Sequence, residues 1–143
     1  MKLATWNING IVKRLDNLRA WLAEAEPDVL CLQELKCTQA DFPEAALEDA
    51  GYSAVWVAEG RWNGVAILAR GRRPILTQTD LPGDPDDRQA RYVEAAVGGL
   101  VVGCAYVRTA ARCRGRGTTT SWPGWSVCSG TLAAFWTRTC RTR

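Results

Sequence analysis

The chain has 143 residues, 47% of them hydrophobic, six cysteines, no histidine and a formal net charge of +3. That is about one domain, with enough apolar material for a packed core. The missing histidine excludes a Ser-His-Asp triad, imidazole-ligated zinc and a histidine general base.

The chain opens MKLATWNING, and Lys2 to Trp6 has the apolar character of a short strand. Polar amides then crowd its end, either as an ordinary Asn-x-Asn-Gly turn or as part of a site. Ile11 to Ala25 reads as a helix, with Leu15, Leu18, Trp21 and Leu22 at helical spacing and Pro27 as its stop. Asp28 to Leu32 is a continuous apolar run of strand length, which predicts burial on both faces. A second helix is expected from Asp41 to Ala50, ended by Gly51. Strands follow at Ser53 to Val57, Gly64 to Ala69 and Ile75 to Thr79. Tyr92 to Val97 and Leu100 to Tyr106 form a hairpin turned at Gly98-Gly99. Helices early and strands late predict a mixed sheet with helices on one face, whose other face still needs a cover.

If the first two strands are parallel neighbours, Asn7 and Glu34 emerge at the same C-terminal sheet edge, where open α/β sheets bind ligands. A hard cation such as Mg²⁺ takes carboxylate oxygens, waters and substrate phosphate, and an amide can orient those waters. On spacing alone, a Glu that follows a strand reads first as a solvated loop residue, and Asn-x-Asn-Gly as a turn.

The composition changes at residue 107. Residues 1–107 carry a net charge of −4, while residues 108–143 carry seven arginines, no acid and a charge of +7. Glu94 is the last carboxylate, and the tail is mostly Arg, Thr, Trp, Cys, Gly, Ser and Ala. The chain divides accordingly into a domain portion, 1–107, and a tail, 108–143. The cysteines at 31, 37, 104, 113, 128 and 140 form no Cys-x-x-Cys pair and are expected to be free thiols. No membrane span or signal peptide is expected, because the apolar runs are strand-sized, and the default location is cytoplasmic.

WNINGI, PDVLCLQELK, GYSAVW, GVAILAR, DRQARYVEA and a strand ending CAY resemble, in order and approximate spacing, the N-terminal half of the exodeoxyribonuclease III and apurinic/apyrimidinic endonuclease family. The resemblance covers residues 1 to about 107. It implies an α+β fold, half of a four-layer α/β/β/α sandwich, and hydrolysis of DNA phosphodiesters with Mg²⁺ or Mn²⁺. Relatives of this kind cut double-stranded DNA beside abasic sites and trim strands from the 3′ end; neither a membrane nor an obligate protein partner is expected. For single residues it implies that Asn7 helps hold the metal and places phosphate and water, and that Glu34 binds the metal. Tyr106 would put its hydroxyl near the scissile phosphate. Arg91 would contact the DNA backbone, with a solvated structural arginine as the alternative reading.

Such chemistry also needs a base for water and an acid or second cation for the leaving oxygen. In the family these come from a Gly-Asp-x-Asn segment and a terminal Ser-Asp-His, and neither motif is present here. After CAY the tail reads VRTAARCRGRGTTTSWPGWSV, where the family continues with a Pro-Asn-Gly loop and a Tyr-Lys-Leu-Ala-Trp helix. Back-translation of the tail with GC-rich codons, each begun one nucleotide earlier, permits PNGxPLPGPRYDYKLAWMERL. The first two bases of each tail codon fix most of the last two of each recovered codon, so the match points to a −1 frame displacement. The expected product is a truncated, frame-shifted and inactive nuclease with a disordered tail.

Two other functions stand beside it. Seven arginines with Trp122, Trp125 and Trp136 interleaved could form a basic, noncatalytic nucleic-acid-binding arm. A phospholipid or phosphoinositide substrate would keep the superfamily, but QELK and DRQARY favour the DNA branch. An uncovered sheet face further predicts poor solubility.

Overall fold

The run Asp28 to Leu32, expected to be covered on both sides, becomes strand β2 one residue later (Val29–Gln33), and all five residues of the strand are buried. It lies in a computed structural model that describes residues 1–81 and 89–107 and the backbone of Ala133–Thr139. β1 (Leu3–Asn7) runs parallel to β2, with Asn7 opposite Gln33. The connection between them is a single 3-10 turn, Val12–Arg14, followed by helix α1 (Leu15–Ala25). The expected helix therefore begins tightly wound. It ends when Glu26 turns left-handed (φ 43°) and its N–H caps Leu22.

Helix α2 (Glu44–Glu48) is shorter than expected. After it come β3 (Tyr52–Val57) and β4 (Val65–Arg70), antiparallel to each other, with β4 inserted between β2 and β3. The first sheet has the order β1-β2-β4-β3. Leu18 and Leu22 of α1 and Leu47 of α2 pack on one face of it, against Leu30, Leu32 and Leu68. Trp6 meets Trp21 edge-on at 5.7 Å, and Phe42 stacks on Trp56 at 4.3 Å. These aromatic pairs fix the helix layer to the sheet by large apolar burial in defined geometry.

The other face of this sheet, expected to need a cover, is covered by a second sheet. β5 (Ile75–Gln78), β6 (Tyr92–Val97) and β7 (Leu100–Tyr106) leave the first sheet and form a second one. Val93, Ala95, Val97, Val102 and Cys104 of that sheet pack on Val29, Cys31, Val65 and Ile67 of the first. The reason lies in the alternation of β6, whose odd-numbered residues Val93, Ala95 and Val97 are buried while Glu94 and Ala96 are only half-buried. A strand with one apolar face needs a second sheet to lie on. The α+β architecture thus has three stacked layers, helices on sheet on sheet, among the described residues. The edge of the second sheet is β5, all of whose residues are exposed.

Strand β8 (Ala133–Thr139) pairs antiparallel with β7 from Ala133↔Tyr106 to Thr139↔Leu100. Disorder was expected across the whole tail; at β8 the backbone instead satisfies the edge of β7, whose N–H and C=O groups otherwise lack ladder partners. The rest of residues 108–143 lies outside the described residues, as do the cysteines at 113, 128 and 140. Cys31, Cys37 and Cys104 are free and buried. Among the described residues no helix is long and apolar enough to cross a membrane.

Candidate metal and phosphate site

Past the ends of β1 and β2 the backbone keeps pairing. Ile8, Gly10 and Ile11 donate to the carbonyls of Gln33, Glu34 and Leu35 at 3.0, 2.8 and 2.9 Å. Ile8, Ile11 and Leu35 are fully buried in the helix-side core. They anchor the two loops by hydrophobic burial, so the polar residues between them are held at the sheet edge. Gly10 supports this path with φ 103°, a conformation that other residues adopt at a steric cost.

Asn7, Glu34 and Tyr106 meet there. Asn7 Nδ2 donates to Glu34 Oε1 at 2.9 Å, and the Tyr106 hydroxyl donates to the same oxygen at 3.0 Å. Lys36 Nζ lies 2.8 Å from Glu34 Oε2 and also donates to Asn9 Oδ1 at 2.5 Å. Burial acts to raise the Glu34 carboxyl, but the hydrogen bonds from Asn7, Lys36 and Tyr106 and the Lys36 charge outweigh it and leave it below its ordinary value. Glu34 is therefore ionised at neutral pH.

Of these groups Glu34, Lys36 and Tyr106 line one side of a cleft of about 510 Å³, and Asn7 lies behind Glu34, bonded to it. The other side of the cleft is built by Glu59, Asn63 and Gln89, with Trp62 at the rim. Asn63 Nδ2 donates to Glu59 Oε1 at 2.6 Å and to Gln89 Oε1 at 3.3 Å. The wall is locked to the Glu34 loop by main-chain bonds from Leu35 to Gly64 (3.2 Å) and from Lys36 to Asn63 (3.1 Å). Glu59, Asn63 and Gln89 were missed in the sequence. The Asn63-Gly64 dipeptide before a strand is the turn signal that could have found the middle one.

Arg91 does not line the cleft. Its guanidinium donates to Gln89 Oε1, and its carbonyl accepts from the Tyr106 backbone at 2.8 Å, which places it one shell behind the tyrosine.

Among the described residues no group of three or more His, Cys, Asp or Glu side chains could enclose a metal. A divalent cation that keeps several waters needs less, typically one or two carboxylates and substrate phosphate. Glu34 provides an ionised carboxylate, and Asn7 Oδ1 is a buried oxygen with no hydrogen-bond partner. A buried acceptor left open calls for a donor or a cation. The donor set, all oxygen, fits a hard divalent ion.

The model of the endonuclease/exonuclease/phosphatase family matches residues 4–140. Exodeoxyribonuclease III of Haemophilus influenzae is 34% identical over 95 residues, 66% of this chain and 35% of the relative. A 3′-5′ exonuclease from Neisseria meningitidis superposes with a TM-score of 0.66 at 42% identity, over 71% of this chain and 39% of that one. An AP endonuclease from Archaeoglobus fulgidus gives a TM-score of 0.63 at 37% identity, over 69% and 38%. The chain thus spans little more than a third of the length of the proteins it matches.

Proposed function

The chain belongs to the endonuclease/exonuclease/phosphatase family, and from that premise we propose that it descends from a metal-dependent DNA phosphodiester hydrolase of base-excision repair. In this reading the parent protein trims DNA from the 3′ end and cuts beside abasic sites. The observation that carries the reading is the Asn7–Glu34–Tyr106 cluster, hydrogen-bonded at the open edge of a mixed sheet. Relatives named as an exonuclease and an AP endonuclease support the substrate class.

Each residue then has a task. Glu34 and Asn7 would hold Mg²⁺ or Mn²⁺, Glu34 with its charge and Asn7 through its open oxygen. When bound, the cation supplies charge against that developing on the phosphoryl oxygens and lowers the pKa of water. The Tyr106 hydroxyl, which donates to Glu34 here, would turn to a phosphate oxygen when substrate is bound. Arg91 is assigned to the DNA backbone, reached from behind Gln89.

The chain as written is assigned no hydrolytic activity of its own. It has no histidine and no carboxylate after Glu94, so the tail supplies neither the base nor the acid the reaction needs. The tail is read as a −1 frame displacement of the family's continuation. The nucleotide sequence tests this: the displaced frame should run open and encode GDxN and SDH motifs. Cleavage of an abasic-site duplex with Mg²⁺ completes the test, expected for the frame-restored chain and absent for the chain as written. Cleavage by the latter, lost in Glu34→Gln, overturns the assigned inactivity; an inert restored chain overturns the substrate class.

The alternative is a noncatalytic nucleic-acid binder, favoured by the seven arginines beyond Val107. Filter binding with residues 108–143 deleted separates the two. Salt-sensitive affinity that disappears with the tail supports the arm.

A further inference from the structure

Gln33 is 2% exposed, at the end of a strand whose other residues are Val29, Leu30, Cys31 and Leu32. A leucine would fill similar volume without burying an amide, and the amide is not even fully paired: Oε1 is buried with no hydrogen-bond partner. A buried polar group that is only half satisfied weakens a core. The reason for its presence lies in what the other end of the amide holds.

Gln33 Nε2 donates to Thr5 Oγ1 at 2.9 Å and to Cys104 Sγ at 3.3 Å. Cys104 Sγ in turn donates to the Leu32 carbonyl at 3.4 Å. One side chain on β2 is thereby bonded to β1 on its flank and to β7 across the sandwich. Thr5 lies two residues before Asn7, Gln33 one before Glu34, and Cys104 two before Tyr106. Side chains two apart on a strand share a face, so Thr5 lies directly below Asn7 and Cys104 directly below Tyr106. Asn7 and Gln33 are also direct partners in the β1–β2 register.

We infer that Gln33 is a positioning residue: its amide clamps β1, β2 and β7 one layer beneath the site and so sets the alignment in which Asn7 and Tyr106 both reach Glu34 Oε1. Hydrophobic packing between two sheets is nondirectional and tolerates small slides. A hydrogen-bonded amide does not, because its geometry fails within a few tenths of an ångström. The inference rests on the metal-site reading for why the alignment matters, but the clamp itself can be measured without metal.

The test is NMR of the full chain, free of metal, reading hydrogen exchange at the Asn7 side-chain amide beside the melting temperature. Gln33→Leu should leave the melting temperature unchanged or raised, yet speed Asn7 exchange about tenfold, the order implied by losing one hydrogen bond. Thr5→Val, which removes one arm of the clamp, should do the same in part, and Thr5→Ser should restore the wild-type rate. Should Gln33→Leu fail to fold, the Thr5 pair decides alone. Unchanged Asn7 exchange in the folded variants overturns the inference. Mn²⁺ added afterwards reports separately on the site. If Asn7 is not broadened while the exchange effect holds, the metal reading fails and the clamp stands.

Discussion

Asn7 Nδ2 lies 2.9 Å from Glu34 Oε1, a bond that joins the ends of two parallel strands across 27 positions of sequence. The amide spends its donor on the carboxylate and keeps its oxygen free, so charge and an open acceptor stand side by side.

Removing the charge should separate binding from folding. Glu34→Gln is expected to weaken Mn²⁺ binding on the order of 100-fold, since the carboxylate is the one anionic donor in the set. The partly exposed pair with Lys36 contributes little to stability, so the loss there should stay under about 1 kcal/mol. Electron paramagnetic resonance titration and calorimetry measure the two quantities; equal Mn²⁺ affinity in the variant would remove Glu34 from the site.

Gly64 is the tightest joint of the cleft. At φ +92° an added Cβ would come 2.8 Å from Leu35 Cβ, in a conformation that L side chains rarely adopt. Gly64→Ala should therefore destabilise the chain by about 2 kcal/mol or more, combining strain with overpacking. Chemical denaturation checks this, and a neutral result would mean that the loop moves freely.

Thiol chemistry should be slow at Cys37. Burial, helped by the Asp41 charge, pushes its thiol from 9.0 to about 11. The folded state thus holds that proton more tightly than the unfolded chain. The associated stability is fully present below pH 9 and is lost as pH rises through about 11. Alkylation with iodoacetamide at pH 8 should leave Cys37 unmodified in folded protein and modify it in denaturant. Rapid labelling of native Cys37 would contradict the burial.

The exposed edge of the second sheet should drive association. Ile75 is 69% exposed and Leu76 50%, on a strand at that sheet's edge. Edge strands with exposed apolar side chains recruit other chains. Ile75→Lys with Leu76→Lys should shift sedimentation toward monomer while each changes stability by no more than about 0.5 kcal/mol. A wild-type chain that sediments as a monomer at high concentration rules this out.

Much of this architecture was legible from the residues. The unbroken apolar run at Val29–Leu32 announced a central strand, and Gly98-Gly99 announced the hairpin. What the residues concealed was which strands share a sheet, because period-two alternation says that a strand has a buried face but not what covers it. The burial of Val93, Ala95 and Val97 against Cys31 and Ile67 is a long-range fact. At the site, Asn7 and Glu34 could be found because strand ends are recognisable, and Tyr106 because the CAY block resembles the family. Glu59 and Gln89 sit in loops, where their meeting with Asn63 depends on the whole fold. Gln33 was hidden by its neighbours: inside VLCLQ it reads as the polar end of a strand.

The loops around the cleft share one further property. Asn9, Glu34, Lys36 and Asn63 all have positive φ, between 48° and 56°, a region that β-carbon sterics disfavour. The core under Ile8, Ile11 and Leu35 holds these residues in place. It follows that, apart from Glu26 at the end of α1, the left-handed non-glycine backbone of the described residues is gathered at the cleft. Under selection for thermal persistence alone, with DNA chemistry irrelevant, substitutions to glycine should accumulate at Glu34 and Lys36 as readily as at Glu26. A lineage that had ceased to use the cleft would erode there before its hydrophobic layers changed.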